Sequence, residues 1–113
     1  MSMTEQEKAQ LRAQLDQMVR SFVAKLPSRC EELDAYLEEL RDGGTEIRDS
    51  IEEFAHSMAG AAGVFGFPRL ARQAQIVERL IRDGKDNTEV ATAADELLRL
   101  LESPPERETK PTS

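Results

Sequence analysis

Residues 46–65 read EIRDSIEEFAHSMAGAAGVF, and this stretch decides the fold class. Ile47, Ile51, Phe54, Met58 and Phe65 recur at intervals of three, four and seven, the spacing of one face of an α-helix, with Ala55, Ala61 and Ala62 beside them. A helix is therefore expected from about Glu46 to Phe65, capped by Thr45 and broken by Gly66. At about 100° per residue, His56 points roughly 165° away from the centre of that apolar face. Asp49, Glu52, Glu53, Gly60 and Gly63 share its outer side, with Ala59 at the edge. Each glycine inside a helix costs about 0.5–1 kcal/mol relative to Ala. Two readings offset that cost: another helix packs closely there and buries His56, or the surface beside an exposed imidazole is kept clear for a partner.

The same period extends in both directions. Upstream, Thr4 and Glu7 have the spacing of a capping box, and Leu11, Leu15, Met18, Phe22 and Leu26 form a stripe expected to face a core. Pro27 ends or kinks that helix, and Ser28 with Glu31 offers a second capping box. Cys30, Leu33, Leu37 and Leu40 mark the next helix, with Cys30 as a small core residue, and Gly43 and Gly44 end it in left-handed conformations. Downstream, Pro68 suits the first turn of a helix whose core side is Leu70, Ala71, Ala74, Val77 and Ile81. Gly84 closes it, and Asn87 is the expected cap of a last helix facing inward through Val90, Ala94, Leu97, Leu98 and Leu101. No segment alternates with period two, so the chain reads as an all-α antiparallel bundle over residues 1–102. Residues 103–113, SPPERETKPTS, hold three of the five prolines and no large apolar residue, the composition of a disordered tail.

Composition limits the function. The 113 residues suit one small domain with a single core. Twenty-two acidic against fifteen basic residues give a net charge of −7, the wrong sign for nucleic-acid phosphates or an anionic membrane surface. One Cys forms no intramolecular disulfide, and with one His it gives no zinc-site spacing, so no metal ligands are expected. The N-terminus lacks an apolar signal core, and the low-polarity stretch from Ala59 to Phe67 is too short to cross a bilayer. A soluble, cytoplasmic, monomeric protein with protein or small-ligand partners is the expectation.

The run from His56 through Gly60, Gly63, Phe65, Gly66 and Phe67 to Leu70 resembles the histidine-containing phosphotransfer (HPt) domain, whose pattern is His-x-x-Lys-Gly, small residues, Phe-Gly and a second helix. The resemblance, from roughly Leu11 to Leu101, implies an antiparallel four-helix bundle with an additional N-terminal helical segment. It implies that His56 accepts a phosphoryl group through Nε2 from the aspartyl phosphate of a response-regulator receiver domain and relays it to another receiver. Such a domain is a phosphocarrier rather than an enzyme; the receiver supplies Mg²⁺, and this chain binds no cofactor. Response-regulator receivers and a hybrid histidine kinase are the implied partners. Glu78 falls where relatives carry a Glu or Gln against the acceptor imidazole, which implies that it orients Nδ1; a surface pair with Arg82 is the competing role. Ala59, Gly60, Gly63, Val64 and Phe67 are the implied docking residues. Ala59 stands where the family usually has a lysine, with Arg69, Arg72 and Arg82 as candidate replacements. A second reading is a helical adaptor that docks receivers without being phosphorylated.

Overall fold

Leu33, Leu37, Leu40, Ile51, Leu70, Val77, Val90, Leu97 and Leu101 lose essentially all contact with solvent, and every one lies on an apolar stripe of α2, α3, α4 or α5. The computed structural model describes residues 2–108. The elements are α1 (Glu5–Ala24), α2 (Leu26–Arg41), α3 (Ile47–Val64), α4 (Pro68–Arg82) and α5 (Asn87–Glu102), with no strand among the described residues. Helices α2 to α5 form a closed ring in which each packs on its sequence neighbours and α2 packs on α5. This is a four-helix bundle whose short connections turn the chain back on itself, preceded by one extra helix. The core is apolar throughout, and no buried side-chain polar atom lacks a partner among the described residues.

The connections follow from local chemistry, not always at the expected residue. Asp86, rather than Asn87, caps α5: its Oδ1 accepts from the Glu89 amide at 2.9 Å. Asn87 instead ties three elements together, donating to the carbonyls of Leu40 and Gly44 and accepting from Arg48 at 2.7 Å. Thr45 makes no cap either, because α3 begins after Glu46, which has helical backbone angles and no capping side chain. Of the two glycines after α2, only Gly43 is left-handed (φ +90°). Gly66 (φ +86°) ends α3 in a Schellman turn, with the Phe67 amide donating to the Ala62 carbonyl at 2.8 Å. That turn aims α4 back along α3, and these two helices share the broadest contact in the molecule.

The N-terminal helix departs most from expectation. Its capping box is present, with the Glu7 amide donating to Thr4 Oγ1 and the Thr4 amide to Glu7 Oε1. The bond from the Thr4 amide, and after it the Thr4 hydroxyl, hold the Glu7 carboxyl below its ordinary pKa. The stripe of Leu11, Leu15 and Met18, however, does not enter the core, and no residue of α1 is buried. Pro27 has no N–H for the carbonyl one turn back, so the helix breaks at Lys25 and a new one starts at Leu26. The break leaves Ser28 inside α2, where the expected box with Glu31 has no helix start to cap. Only the end of α1 is anchored: Phe22 stacks against Phe65 and Phe67 with ring centroids 5.4 and 5.6 Å apart. The molecule therefore measures 56 × 25 × 21 Å, about the length of a bundle plus much of a 20-residue helix. Cys30 packs partly buried against the core, and burial is the main cause raising its thiol pKa.

After α5, residues 103–108 form neither helix nor strand and return to the α3–α4 junction. There Arg107 Nε donates to the Phe65 carbonyl at 2.6 Å and the Glu108 amide to that of Gly66 at 2.7 Å. The remainder of the expected disordered tail, 109–113, lies outside the described residues.

Candidate functional site

Ala55 and Met58 anchor the inner side of α3 in the core, which turns His56 outward with 73% of its side chain exposed. Glu78, on the adjoining face of α4, is shielded between the two helices and keeps only 12% of its side chain exposed. His56 Nδ1 and Glu78 Oε2 are 2.6 Å apart. The same oxygen forms an ion pair with an Arg82 guanidinium nitrogen 2.9 Å away, and Arg82 Nε donates to Glu52 Oε2, also at 2.9 Å. The hydrogen bond that Arg82 donates to Glu52, then the charge of Glu78, raise the Arg82 pKa further. A carboxylate ion-paired with a guanidinium can only accept, so in the neutral imidazole Nδ1 carries the proton and donates it. The lone pair is then left on Nε2, away from α4.

The two roles weighed for Glu78 are thus one arrangement: a single carboxylate oxygen serves both His56 and Arg82. Glu52, one helical turn before His56, completes a row of alternating charge across α3 and α4. The Glu78–Arg82 spacing of four is visible in the sequence, whereas the Glu52–Arg82 pair depends on how the helices cross. A charge-assisted hydrogen bond is worth about 1.5–3 kcal/mol. If His56 accepts a phosphoryl group, as the resemblance implies, Glu78→Ala is expected to slow its uptake from phosphoramidate about ten- to a hundredfold. A rate unchanged in stopped-time labelling would remove Glu78 from the chemistry.

Gly60 and Gly63 lie on the same exposed face, and a Cβ built on either meets nothing within 4 Å. No helix among the described residues packs over them, which removes the close-packing explanation for these glycines. Ala59 is partly buried, and Val64 is 72% exposed at the end of the face. Phe67 does not belong with them. It is 4% exposed and stacked on Phe22, because its place as N-cap residue of α4 turns its ring under the junction. Arg69 and Arg72 are exposed, and Arg72 lines a shallow cleft with Gly63, Gly66, Gln75 and Glu108. No cluster of metal-ligating side chains occurs among the described residues. No helix among them is long and apolar enough to cross a membrane.

A family model described as Hpt domain matches residues 17–103, which take in the whole of α2 to α5 and the end of α1. The chain belongs to the Hpt domain family. Hpt domains in general are phosphocarriers rather than enzymes, and they work with receiver and kinase domains. In this Hpt domain the matched span coincides with the packed bundle, while the exposed first three turns of α1 precede it. The chain has no significant match among curated proteins or solved structures.

Proposed function

We propose that this Hpt domain is a phosphorelay intermediate that takes a phosphoryl group from a receiver aspartate onto His56 Nε2 and hands it to a second receiver. The observation that carries the reading is the 2.6 Å contact between His56 Nδ1 and Glu78 on an otherwise open face. In the neutral imidazole, Nε2 attacks phosphorus as the aspartyl oxygen–phosphorus bond breaks and the aspartate leaves as a carboxylate. The Nδ1 proton stays in place. The ring gains positive charge as the nitrogen–phosphorus bond forms, and the Glu78 carboxylate balances it. On return transfer the bond electrons revert to Nε2 with no proton to recruit. The receiver contributes Mg²⁺ and the cations that stabilise the transferring group, so this chain works as a carrier. A hybrid histidine kinase is the proposed initial source of phosphate, and the cytoplasm the proposed compartment.

Docking requires close approach, and Gly60, Gly63, Ala59 and Val64 supply a low surface beside the imidazole. Gly60→Leu is therefore expected to slow transfer from a receiver while leaving uptake from phosphoramidate unchanged. Helix propensity predicts equal stability or a gain of up to about 1 kcal/mol. Equal receiver rates for the two proteins, measured by quenched-flow labelling, would remove docking as the reason for the glycine.

The adaptor reading has one specific observation in its favour: Ala59 brings no cation to the place of the family's lysine, and Arg82 is held by Glu78 and Glu52. Radiolabelled phosphate transfer from several phosphorylated receivers separates the two. A relay gives protein-bound label that is acid-labile and base-stable; an adaptor binds the receivers and takes up no label.

A further inference from the structure

Beyond Leu101 no described residue enters the core, yet the segment 103–108, SPPERE, turns back onto the end of α3. Three features of the sequence hold it there. The C-terminus of a helix carries partial negative charge and free carbonyls, and α3 has no basic side chain in its last turn. Arg107 brings that cation from 42 residues away, its Nε donating to the carbonyl of Phe65, the C-cap residue. Gly66 accepts the Glu108 amide at 2.7 Å, and a Cβ built on this glycine meets the Glu108 carbonyl oxygen, also at 2.7 Å. Gly66 therefore serves the close approach of the tail as well as the left-handed turn. Pro104 and Pro105, finally, have one backbone dihedral fixed each, which lowers the entropy lost when the segment is seated.

The seat is nevertheless a weak one. Two hydrogen bonds and the half-buried Pro105 and Arg107 are set against the ordering of six residues, and little remains in its favour. Seated and released forms then lie close in free energy, so a competitor of modest affinity shifts the balance. The position of the seat says what that competitor is. Glu108 shares a cleft with Gly63, Ala71, Arg72 and Gln75, in line with His56 on α3 and Glu78 on α4. Gly63 follows His56 by seven residues, about 10 Å along the helix, and both are exposed on one side of it. A stable protein partner covers about 800 Å², a patch that reaches about 16 Å from its centre. A partner centred on the imidazole therefore extends to the cleft, where it meets Glu108.

We propose that residues 103–108 are an autoinhibitory strap: seated through Arg107 and Glu108, they occupy the Gly63 end of the acceptor face, and a receiver displaces them when it docks. The proposal rests on the reading of that face as the receiver's docking surface and adds to it a brake carried by this chain itself. The imidazole stays open in both forms, because the strap ends two helical turns away from it.

The test compares the full-length wild type with the double variant Arg107→Ala, Glu108→Pro, which removes the guanidinium and the donating amide and touches no buried residue. Hydrogen exchange followed by NMR reads the strap directly: in the free wild type the Glu108 amide is expected to exchange several-fold more slowly than in an unstructured chain, and to lose that protection when a receiver is bound. Quenched-flow labelling from a phosphorylated receiver is expected to run about two- to tenfold faster in the variant at low receiver concentration, with the same rate at saturation. Uptake from phosphoramidate is expected to be equal in the two proteins, which reports the His56 chemistry separately. An unprotected Glu108 amide in the free protein overturns the strap. Protection retained in the receiver complex, or equal receiver rates at every concentration, overturns the competition. Where no receiver transfers label, calorimetric titration replaces the rate: tighter receiver binding by the variant supports the strap, and equal or absent binding overturns it, while phosphoramidate labelling shows whether the relay chemistry itself survives.

Discussion

Replacing His56 with Gln is expected to abolish phosphoryl uptake from every donor while leaving the bundle folded. The imidazole is exposed, reaches no core residue and has Glu78 as its close polar partner. A Gln side chain keeps an amide N–H able to donate to that carboxylate, so the shielded charge is not orphaned, but it offers no nitrogen lone pair to attack phosphorus. The change in unfolding free energy is expected to stay within about 0.5 kcal/mol, the usual range for a surface substitution. Radiolabelling and far-UV circular dichroism of the purified variant read the two halves of this statement. Loss of helicity would mean that His56 supports the fold, and retained labelling would move the acceptor elsewhere.

The largest effect on stability is expected at Leu97. It is fully buried on α5, inside the ring of helices that defines the core. Truncation to Ala removes the transfer free energy of three carbons and leaves a cavity that four helices held at both ends cannot close. The expected cost is about 2–5 kcal/mol, enough to halve the stability of a marginal domain. Urea unfolding followed by circular dichroism gives the value. A loss below about 1 kcal/mol would mean that the bundle collapses around the gap and that α5 is less fixed than its burial indicates.

The fold was largely legible from periodicity, and the places where it was not have a common cause. Leu33, Leu37, Ile51, Leu70, Val77 and Leu97 sit at helical spacing on stripes that do face the core. Leu11, Leu15 and Met18 have the same spacing and do not. An amphipathic pattern states that a face needs cover, not what covers it; Pro27 decides the outcome by letting α1 leave the bundle at Lys25. Caps were misjudged by a residue for a related reason. Asp86 and Asn87 are both good N-cap types, and Asn87 is occupied in tying α5 to the ends of α2 and α3, a tertiary role that no local pattern carries.

The candidate site divides in the same way. The outward direction of His56 follows from the wheel, and the open surface at Gly60 and Gly63 follows from it in turn. The position of Glu78 came from the family pattern. The sharing of one Glu78 oxygen between His56 and Arg82, and the extension of that row to Glu52, required the crossing of α3 over α4. Phe67 adjoins the same motif in sequence, yet the turn at Gly66 sends its ring into the core, away from any partner.

The central claim is that Nε2, freed by the Nδ1–Glu78 hydrogen bond, carries the phosphoryl group. Phosphorus-31 and nitrogen-15 NMR of the protein after incubation with a phosphorylated receiver tests it most directly. The expected result is one phosphoramidate resonance coupled to His56 Nε2, with the Nδ1 proton retained. A phosphoryl group on Nδ1, on another residue, or on no residue while the receiver loses its own would contradict it.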